Sequence, residues 1–213
     1  MENKTVFVLL AGGKSERMGI AKGLLPYQDT FWILEQLKRI ASSTISKVYI
    51  GLGYNHELYF DTISWFEKAL LDFILYKNIK VKIAVNQNPE LGTFSTLQTV
   101  LKQIPKDRAV LINPIDIPVL NSLELQTIIN TQNQIVLPNF ESKNGHPIKF
   151  HSEFWEPLLL LNPTDQNSRL DLEIKKTNPS KITRIAVTDS CILKNLNTPN
   201  DWIEFTNSNQ KLP

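Results

Sequence analysis

A glycine pair followed by clustered cations is the feature of this chain best suited to chemistry. Gly12 and Gly13 end a short apolar run, and the residues after them add two lysines, an arginine and a serine: Lys14, Ser15, Arg17 and Lys22. Glycine lets the backbone approach a ligand closely, and backbone N–H groups with nearby positive charge bind phosphates. The stretch predicts a phosphate-binding loop; the alternative is a strand–loop turn with solvated cations.

The spacing of these glycines excludes two common phosphate loops. A P-loop requires a second glycine five residues after the first and then Lys-Ser/Thr. Counting from Gly13 reaches Met18, and Gly19 is followed by Ile20. The dinucleotide fingerprint also fails, because Gly12 and Gly13 are adjacent and no third glycine follows at the required step.

A second candidate group is Asp116, which follows an apolar run at residues 109–112. A carboxylate at the end of a strand can hold Mg²⁺ against phosphate oxygens, or it can cap the following turn. Three histidines lack metal-ligand spacing, which argues against a zinc site: His56, His146 and His151. We find no plausible pair of nucleophile and base.

The elements that must position these residues alternate between strands and helices. Apolar runs predict strands at 6–11, 46–52, 81–85 and 109–112, and helical spacing marks 30–41 and 93–104. Residues 56–77 read as one long or two short amphipathic helices. The alternation predicts a mostly parallel α/β sheet with helices on both faces. Ligands collect at the carboxyl ends of such strands, where Gly12, Gly92 and Asp116 would lie.

Composition narrows the functional classes. A chain of 213 residues suits one α/β domain spanning residues 1–213. A net charge of +2 is too small to argue for a nucleic-acid or membrane partner. We see no signal-peptide pattern and no apolar run of membrane-spanning length. The single Cys191 fits a reducing compartment, so we expect a cytoplasmic protein.

The loop resembles the signature L-A-G/A-G-x-S-x-R-M-G-x-x-K-x-L-L-P of nucleotidyltransferases, specifically of the MobA-like NTP transferases. The matching positions are Leu10, Ala11, Gly12, Gly13, Ser15, Arg17, Met18, Gly19, Lys22, Leu24, Leu25 and Pro26. The resemblance implies a three-layer αβα fold with a mostly parallel mixed sheet, Rossmann-like and of the nucleotide-diphospho-sugar transferase (GT-A-like) kind. It also implies that the nucleotide is bound by Leu10, Ala11, Gly12, Gly13, Ser15, Arg17 and Lys22.

Two further stretches resemble metal elements of that family. Ile-Asp-Ile-Pro around Asp116 is similar to its Asp-x-Pro element, with Ile in place of the usual Met or Gln. Leu-Asn-Thr-Pro-Asn-Asp at 196–201 resembles its Asn/Asp-Thr-Pro-x-Asp element, which makes Asn197 the second metal ligand. The alternative is a helix cap formed by Asn197 or Thr198 before Pro199.

The remaining resemblances concern the base and the acceptor. Gly92-Thr-Phe-Ser-Thr-Leu resembles the family's segment beside the nucleotide base. This resemblance implies that the base is contacted by Asn86, Gln87, Gly92 and Thr93. The alternative is a plain helix start capped by Thr93 or Ser95. Gly-His-Pro-Ile-Lys-Phe at 145–150 and Asp165 to Leu170 resemble elements of the branch that includes molybdopterin cytidylyltransferases. They imply an acceptor site at His146, Asp165 and Arg169, although Thr164, Asn167 and Ser168 depart from the usual Gly, Gly and Ala.

The resemblance implies that a phosphorylated acceptor attacks the α-phosphorus of an NTP and that pyrophosphate leaves. Arg17, Lys22 and Asp116 would be catalytic, Mg²⁺ the cofactor, CTP or GTP the favoured nucleotide, and molybdopterin the favoured acceptor. We expect a monomer or homodimer. A sugar-1-phosphate or polyol-phosphate nucleotidyltransferase and a non-catalytic nucleotide-binding accessory protein stay open. A glycosyltransferase would need an Asp-x-Asp pair, which Ile-Asp-Ile-Pro does not supply.

Overall fold

The computed structural model describes residues 4–209. Within them nine strands form one mixed sheet in the order β11-β8-β10-β7-β1-β4-β6-β5, with β9 paired to β8, while β2 and β3 form a separate small ribbon. The strands are β1 Thr5–Ala11, β2 Pro26–Tyr27, β3 Thr30–Phe31, β4 Lys47–Leu52, β5 Ile74–Tyr76, β6 Ile79–Val85, β7 Ala109–Pro114, β8 Ile135–Phe140, β9 Lys143–Asn144, β10 Ile148–Phe150 and β11 Ile182–Ala186.

The central strands β7, β1, β4 and β6 run parallel, so their carboxyl ends share one edge of the sheet. Strand β10 runs antiparallel to β7, which brings the residues just before it to that same edge. The predicted mostly parallel α/β sheet is therefore confirmed. Ligand sites in such sheets lie at this edge, and the chain places the Gly12 loop and the Asp116 loop there side by side.

Helices cover both faces of the sheet, as the sequence predicts. They are α1 Trp32–Ala41, α2 His56–Thr62, α3 Lys68–Leu71, α4 Thr93–Leu101, α5 Ser122–Asn130, α6 Ser152–Leu158, α7 Leu170–Lys176 and α8 Pro199–Asn209. Strand β1 alternates between two cores: Phe7 and Leu9 pack toward α1, α2 and α5, whereas Val6 and Val8 pack toward α4 and α6. None of the helices in this described part is long and apolar enough to cross a membrane.

The segment predicted as helix over residues 56–77 differs from the expectation at its end. It forms two short helices, α2 and α3, and then turns into strand β5, which pairs antiparallel with β6 at the edge of the sheet. Leu71, at the end of α3, is exposed. The apolar run at residues 73–76 is short enough to suit either a helix or a strand, and only the open edge of β6 decides between them.

Two buried polar side chains of α1 fix the loop that carries Asp116. The indole N–H of Trp32 donates to the carbonyl of Ile115 (2.7 Å). The side-chain amide of Gln36 donates to the carbonyl of Ile117 (2.9 Å) and accepts from the N–H of Val119 (3.1 Å). Backbone groups beyond a strand end have no ladder partner, so these bonds replace the sheet as the source of order.

We expect Gln36→Leu to lower the free energy of unfolding by about 1–3 kcal/mol, because it leaves the buried N–H of Val119 without a partner and leaves the carbonyl of Ile117 with its bond from Asn113 alone. Urea titration measures this. Gln103→Leu, at an exposed position, is the control and should stay within about 0.5 kcal/mol of the parent. Equal stability of Gln36→Leu and the parent would contradict the role assigned to Gln36.

Candidate active site

The two glycines after β1 occupy different surroundings. A Cβ on Gly12 would lie 2.7 Å from Oγ1 of Thr96, and a Cβ on Gly53 would lie 2.6 Å from the carbonyl oxygen of Gly12. Gly12 is therefore packed between α4 and the chain after β4. A Cβ on Gly13 would meet nothing within 4 Å. Gly12 serves close packing, and Gly13 leaves its backbone open toward the cleft.

The loop after Gly13 is ordered by hydrogen bonds, most of them between its own residues. Ser15 adopts a left-handed conformation (φ 57°), and its carbonyl accepts from the N–H of Met18 (2.9 Å). The Ser15 hydroxyl accepts from the N–H of Lys22 (3.3 Å), and the N–H of Gly23 donates to Oη of Tyr59 (3.2 Å). Residues 22–24 form a single 3₁₀ turn. Lys22 is thus presented from an ordered backbone.

The ammonium group of Lys22 meets the two side chains that the sequence marks as metal ligands. Nζ of Lys22 lies 3.0 Å from Oδ2 of Asp116 and 2.6 Å from Oδ1 of Asn197. The side chains of Lys22 and Asp116 are only 14% and 23% exposed. Charge-assisted hydrogen bonds in a partly desolvated site are stronger than those on an open surface. Three residues distant in sequence therefore meet at one point.

The chain before α8 reaches this point because it is bonded to the Asp116 loop. The N–H of Leu196 donates to the carbonyl of Asp116 (2.8 Å). Thr198 then caps α8: its hydroxyl accepts from the N–H of Asp201 (3.2 Å), whose carboxylate accepts from the N–H groups of Asn197 and Thr198. The hydroxyl and backbone N–H of Thr198 lower the pKa of Asp201. Since Thr198 does the capping, the side chain of Asn197 is left for the site.

The donor set at this point fits a hard divalent cation. Asp116 and Asn197 each offer an oxygen to the position that the ammonium of Lys22 takes in this structure, so a bound ion would displace that ammonium. Carboxylate and amide oxygens are the ligands that Mg²⁺ and similar ions prefer. Among residues 4–209 no group of three or more histidine, cysteine, aspartate or glutamate side chains could hold a metal. A metal here would complete its coordination with substrate or water oxygens, as magnesium sites commonly do.

A cleft of about 520 Å³ opens beside these residues. Its walls include ten of the predicted site residues: Leu10, Ala11, Gly12, Gly13, Ser15, Lys22, Thr93, Asp116, His146 and Arg169. Six predicted residues do not line it: Arg17, Asn86, Gln87, Gly92, Asp165 and Asn197. Asn197 still joins the site through Lys22. Arg17 is exposed, and its charge contributes to the lowered pKa of Asp201 beyond the cleft.

On the side predicted to receive the base, Asn86 is buried and committed to internal bonds. Its amide nitrogen donates to the hydroxyls of Ser95 (2.8 Å) and Thr96 (3.0 Å), and its side-chain oxygen accepts from the N–H of Asn88 (3.0 Å). Asn86 thus fixes the first turn of α4 against the end of β6. Gln87 is exposed. Gly92 has φ 87° and precedes the exposed Thr93 at the start of α4.

The predicted acceptor residues lie in unlike settings. Burial lowers the pKa of His146 to about 4, although the nearby carboxylate of Asp116 acts in the opposite direction. Arg169 lines the cleft with an exposed side chain whose Nε lies 3.0 Å from Oδ1 of Asp171. Asp165 is exposed and accepts from the N–H of Asn167 (2.8 Å) in a turn outside the cleft. The structure therefore brings His146 and Arg169 to the cleft without Asp165.

Four polar residues that line the cleft were not predicted as site residues: Tyr59, Thr96, Asp171 and Asn195. Tyr59 belongs to an aromatic stripe typical of a core. Thr96 lies one helical turn after the predicted Thr93, a spacing that could have indicated it. Asp171 carries no signal in the sequence beyond its charge opposite Arg169.

We expect Gly12→Ala to lower the free energy of unfolding by about 1–3 kcal/mol, because the added methyl group enters the space of Thr96. Gly13→Ala should stay within about 0.5 kcal/mol of the parent, since its Cβ meets nothing. Urea titration compares them. The double variant Gly12→Ala/Thr96→Ala should lose less than the sum of the two single variants. A Gly12→Ala variant as stable as Gly13→Ala would contradict the packing described.

Comparison with known proteins supplies the context for this geometry. The MobA-like NTP transferase domain family matches residues 7–175, a span that includes the Gly12–Gly13 loop and Asp116. No curated protein matches the chain.

Solved structures share the fold across nearly the whole chain. Rv0371c from Mycobacterium tuberculosis superposes with a TM-score of 0.75 at 18% identity, covering 96% of this chain and 98% of that one. Its complex with manganese gives 0.71 at 18% identity, with 97% and 100% covered. A nucleotidyl transferase from Methanothermobacter gives 0.75 at 17% identity, with 97% of each chain covered. At these identities the likeness is one of fold.

The predicted family is thus confirmed by a match over most of the chain, and the residues of the predicted phosphate loop and Asp116 lie inside the matched span at one edge of the sheet. The chain belongs to the MobA-like NTP transferase family.

Proposed function

We propose that this protein is a divalent-metal-dependent nucleotidyltransferase. It transfers the NMP moiety of an NTP to a phosphorylated small-molecule acceptor and releases pyrophosphate. The observation that carries the proposal is the meeting of Lys22, Asp116 and Asn197 within hydrogen-bonding distance beside the open backbone of Gly13. A molybdopterin-type acceptor with CTP or GTP is the favoured pair, because the chain belongs to the MobA-like family.

The site needs no activated side-chain nucleophile for this reaction. A phosphate acceptor is ionised at neutral pH, so the protein has to align two anions and offset their repulsion. The backbone at Gly12 and Gly13 cradles the triphosphate, and the ammonium of Lys22 faces the α-phosphate and the incoming oxygen. Arg17, on the exposed outer part of the same loop, binds the departing pyrophosphate. Each of these groups acts by position and charge.

Asp116 and Asn197 are the residues that would hold Mg²⁺, since both present oxygens to one position. The bound ion supplies charge neutralisation and polarisation at the phosphate under attack. The manganese complex of a protein with this fold supports the use of a divalent cation. Around the ion, the protein keeps Asp116 in place through its backbone bond from Leu196 and the helix α1 contacts to the neighbouring carbonyls.

A second candidate acceptor, a sugar-1-phosphate or polyol phosphate, is favoured by one observation. Of the two charged residues retained from the family's acceptor motif, Arg169 lines the cleft, whereas Asp165 belongs to an exposed turn outside it. The chemistry at the α-phosphorus is the same for both acceptor classes. The acceptor pocket alone separates them.

The domain and location assignments stay part of the proposal. One domain for the whole chain is supported by a sheet whose strands run from Thr5 to Ala186 without a break into two sheets, apart from the small ribbon. Cytoplasmic location stays a prediction based on the single Cys191. A monomer or homodimer is the expected assembly.

Pyrophosphate release and thermal shift against CTP, GTP, UTP and ATP, each with Mg²⁺ and with or without molybdopterin, test the proposal. A ligand at a hundredfold its Kd stabilises the native state by about 2.7 kcal/mol, a shift that is easily measured. We expect release that depends on molybdopterin and on one nucleotide. Stabilisation by a nucleotide with release only from sugar or polyol phosphates would select the second acceptor class. No nucleotide effect would refute the proposal.

Lys22→Ala should lower kcat by about 10²-fold or more, as expected when one preorganised charge at the reacting phosphate is removed. Lys102→Ala is the matched control, because this lysine is exposed at the end of α4 and away from the cleft. Steady-state pyrophosphate release with a saturating acceptor measures both variants. Near-normal turnover in Lys22→Ala would remove Lys22 from the mechanism.

A further inference from the structure

The segment from α2 through α3, residues 56–71, packs against the predicted phosphate loop, and its Tyr59 accepts a hydrogen bond from that loop. Tyr59 of α2 is 1% exposed, and its ring lies parallel to that of Phe66 at a centroid distance of 6.2 Å and an angle of 6°. The Tyr59 side chain reaches from the core to the cleft wall, where its hydroxyl accepts a hydrogen bond from the N–H of Gly23. An aromatic residue that served the core alone would have no use for this hydroxyl.

The contact with Gly23 is close over the whole edge of the ring. The N–H of Gly23 donates to Oη of Tyr59 at 3.2 Å. A Cβ on Gly23 would lie 2.7 Å from that oxygen and 2.8 Å from Cε1 of the ring. Burial raises the pKa of Tyr59 well above its ordinary value, so the hydroxyl stays neutral at physiological pH. The ring edge therefore fits only against a residue without a side chain.

This contact fixes the backbone from which Lys22 projects. The N–H of Lys22 is held by the Ser15 hydroxyl, and the next N–H, that of Gly23, is held by Tyr59. With both amides anchored, the peptide planes on either side of the Lys22 Cα have defined orientations. The lysine side chain leaves this turn toward Asp116 and Asn197.

We propose that Tyr59 is a positioning residue, which acts through the Gly23 peptide to aim Lys22 at the reacting phosphate. The inference rests on the proposed function only in that the reaction uses Lys22. It assigns a task to the α2–α3 segment: the stacked pair Tyr59–Phe66 braces the turn of residues 22–24 from behind.

Tyr59→Phe tests the proposal, because it keeps the ring and removes only the hydrogen-bond acceptor. Tyr76→Phe is the matched control: it lies on β5, just beyond α3, and stacks on Trp65 at 5.4 Å rather than on the loop. We expect Tyr59→Phe to lower kcat about tenfold, since misplacement of a catalytic group by a fraction of an ångström has effects of this size. The nucleotide Kd should change by less than about twofold, because Tyr59 is only 1% exposed and its hydroxyl is bonded to Gly23.

Two further readouts separate positioning from general support. In the Lys22→Ala background, Tyr59→Phe should cause no additional loss of kcat, because two changes that act through one group are not additive. Competitive acylation of lysines by acetic anhydride, read by mass spectrometry, should label Lys22 about threefold faster in Tyr59→Phe than in the parent, relative to Lys102, since the turn opens more often. Tyr76→Phe should change neither quantity.

The labelling experiment does not depend on the reaction, so the two proposals can fail separately. Faster labelling of Lys22 in Tyr59→Phe, with no turnover by the parent or by any variant, would support Tyr59 as a positioning residue and refute the proposed function. Turnover in the parent with unchanged kcat and unchanged labelling in Tyr59→Phe would overturn the role of Tyr59, even if its melting temperature fell. If Tyr59→Phe does not fold, Phe66→Leu keeps the hydroxyl but removes its stacked support, and unchanged Lys22 labelling there would overturn the proposal.

Discussion

The site depends on one electrostatic constraint, the sharing of the Lys22 ammonium by Asp116 and Asn197. These residues come from a loop after β1, a loop after β7 and the segment before α8, and they can meet because β1 and β7 are parallel neighbours. Partial burial strengthens each charge interaction. A cation and oxygen ligands concentrated at one point create the field that the proposed triphosphate and divalent ion would require. The rest of the fold keeps these three residues in place.

Neutral hydrogen bonds from buried side chains hold the loops of the site in place. Trp32 and Gln36 fix the loop on both sides of Asp116, Tyr59 fixes the turn of Lys22, and Asn86 fixes the start of α4. In each case a side chain replaces the ladder partner that a loop lacks beyond a strand end. These bonds are made in the free protein. The loops therefore lose their conformational entropy on folding and not when the nucleotide binds.

The Gly12–Gly13 turn after β1 and the sheet were predictable from the sequence because their signals are local, while the phosphate-binding role of that turn stays a prediction. The apolar run before Gly12 and the fixed spacing to Lys22 both lie within one short stretch. Strand β5 was not predictable, since the apolar run at residues 73–76 suits two structures and the free edge of β6 is a tertiary fact. Asn86 was expected to contact the base, but it does not line the cleft, and only packing shows that its amide is occupied by Ser95 and Thr96. Tyr59 was hidden within a stripe of core aromatics.

The two ends of the cleft are built differently, and this bears on specificity. At the predicted nucleotide end the side chain of Lys22 is 14% exposed and both amides of its turn are bonded. At the predicted acceptor end, Arg169 is 66% exposed and paired with Asp171, itself 50% exposed. An exposed ion pair contributes little to stability and can be rearranged at small cost. Arg169 and Asp171 can therefore change with little effect on the fold, whereas Lys22 cannot. Of the three residues that depart from the family motif, Thr164 and Asn167 are likewise exposed, whereas Ser168 is buried and its change had to fit the surrounding packing.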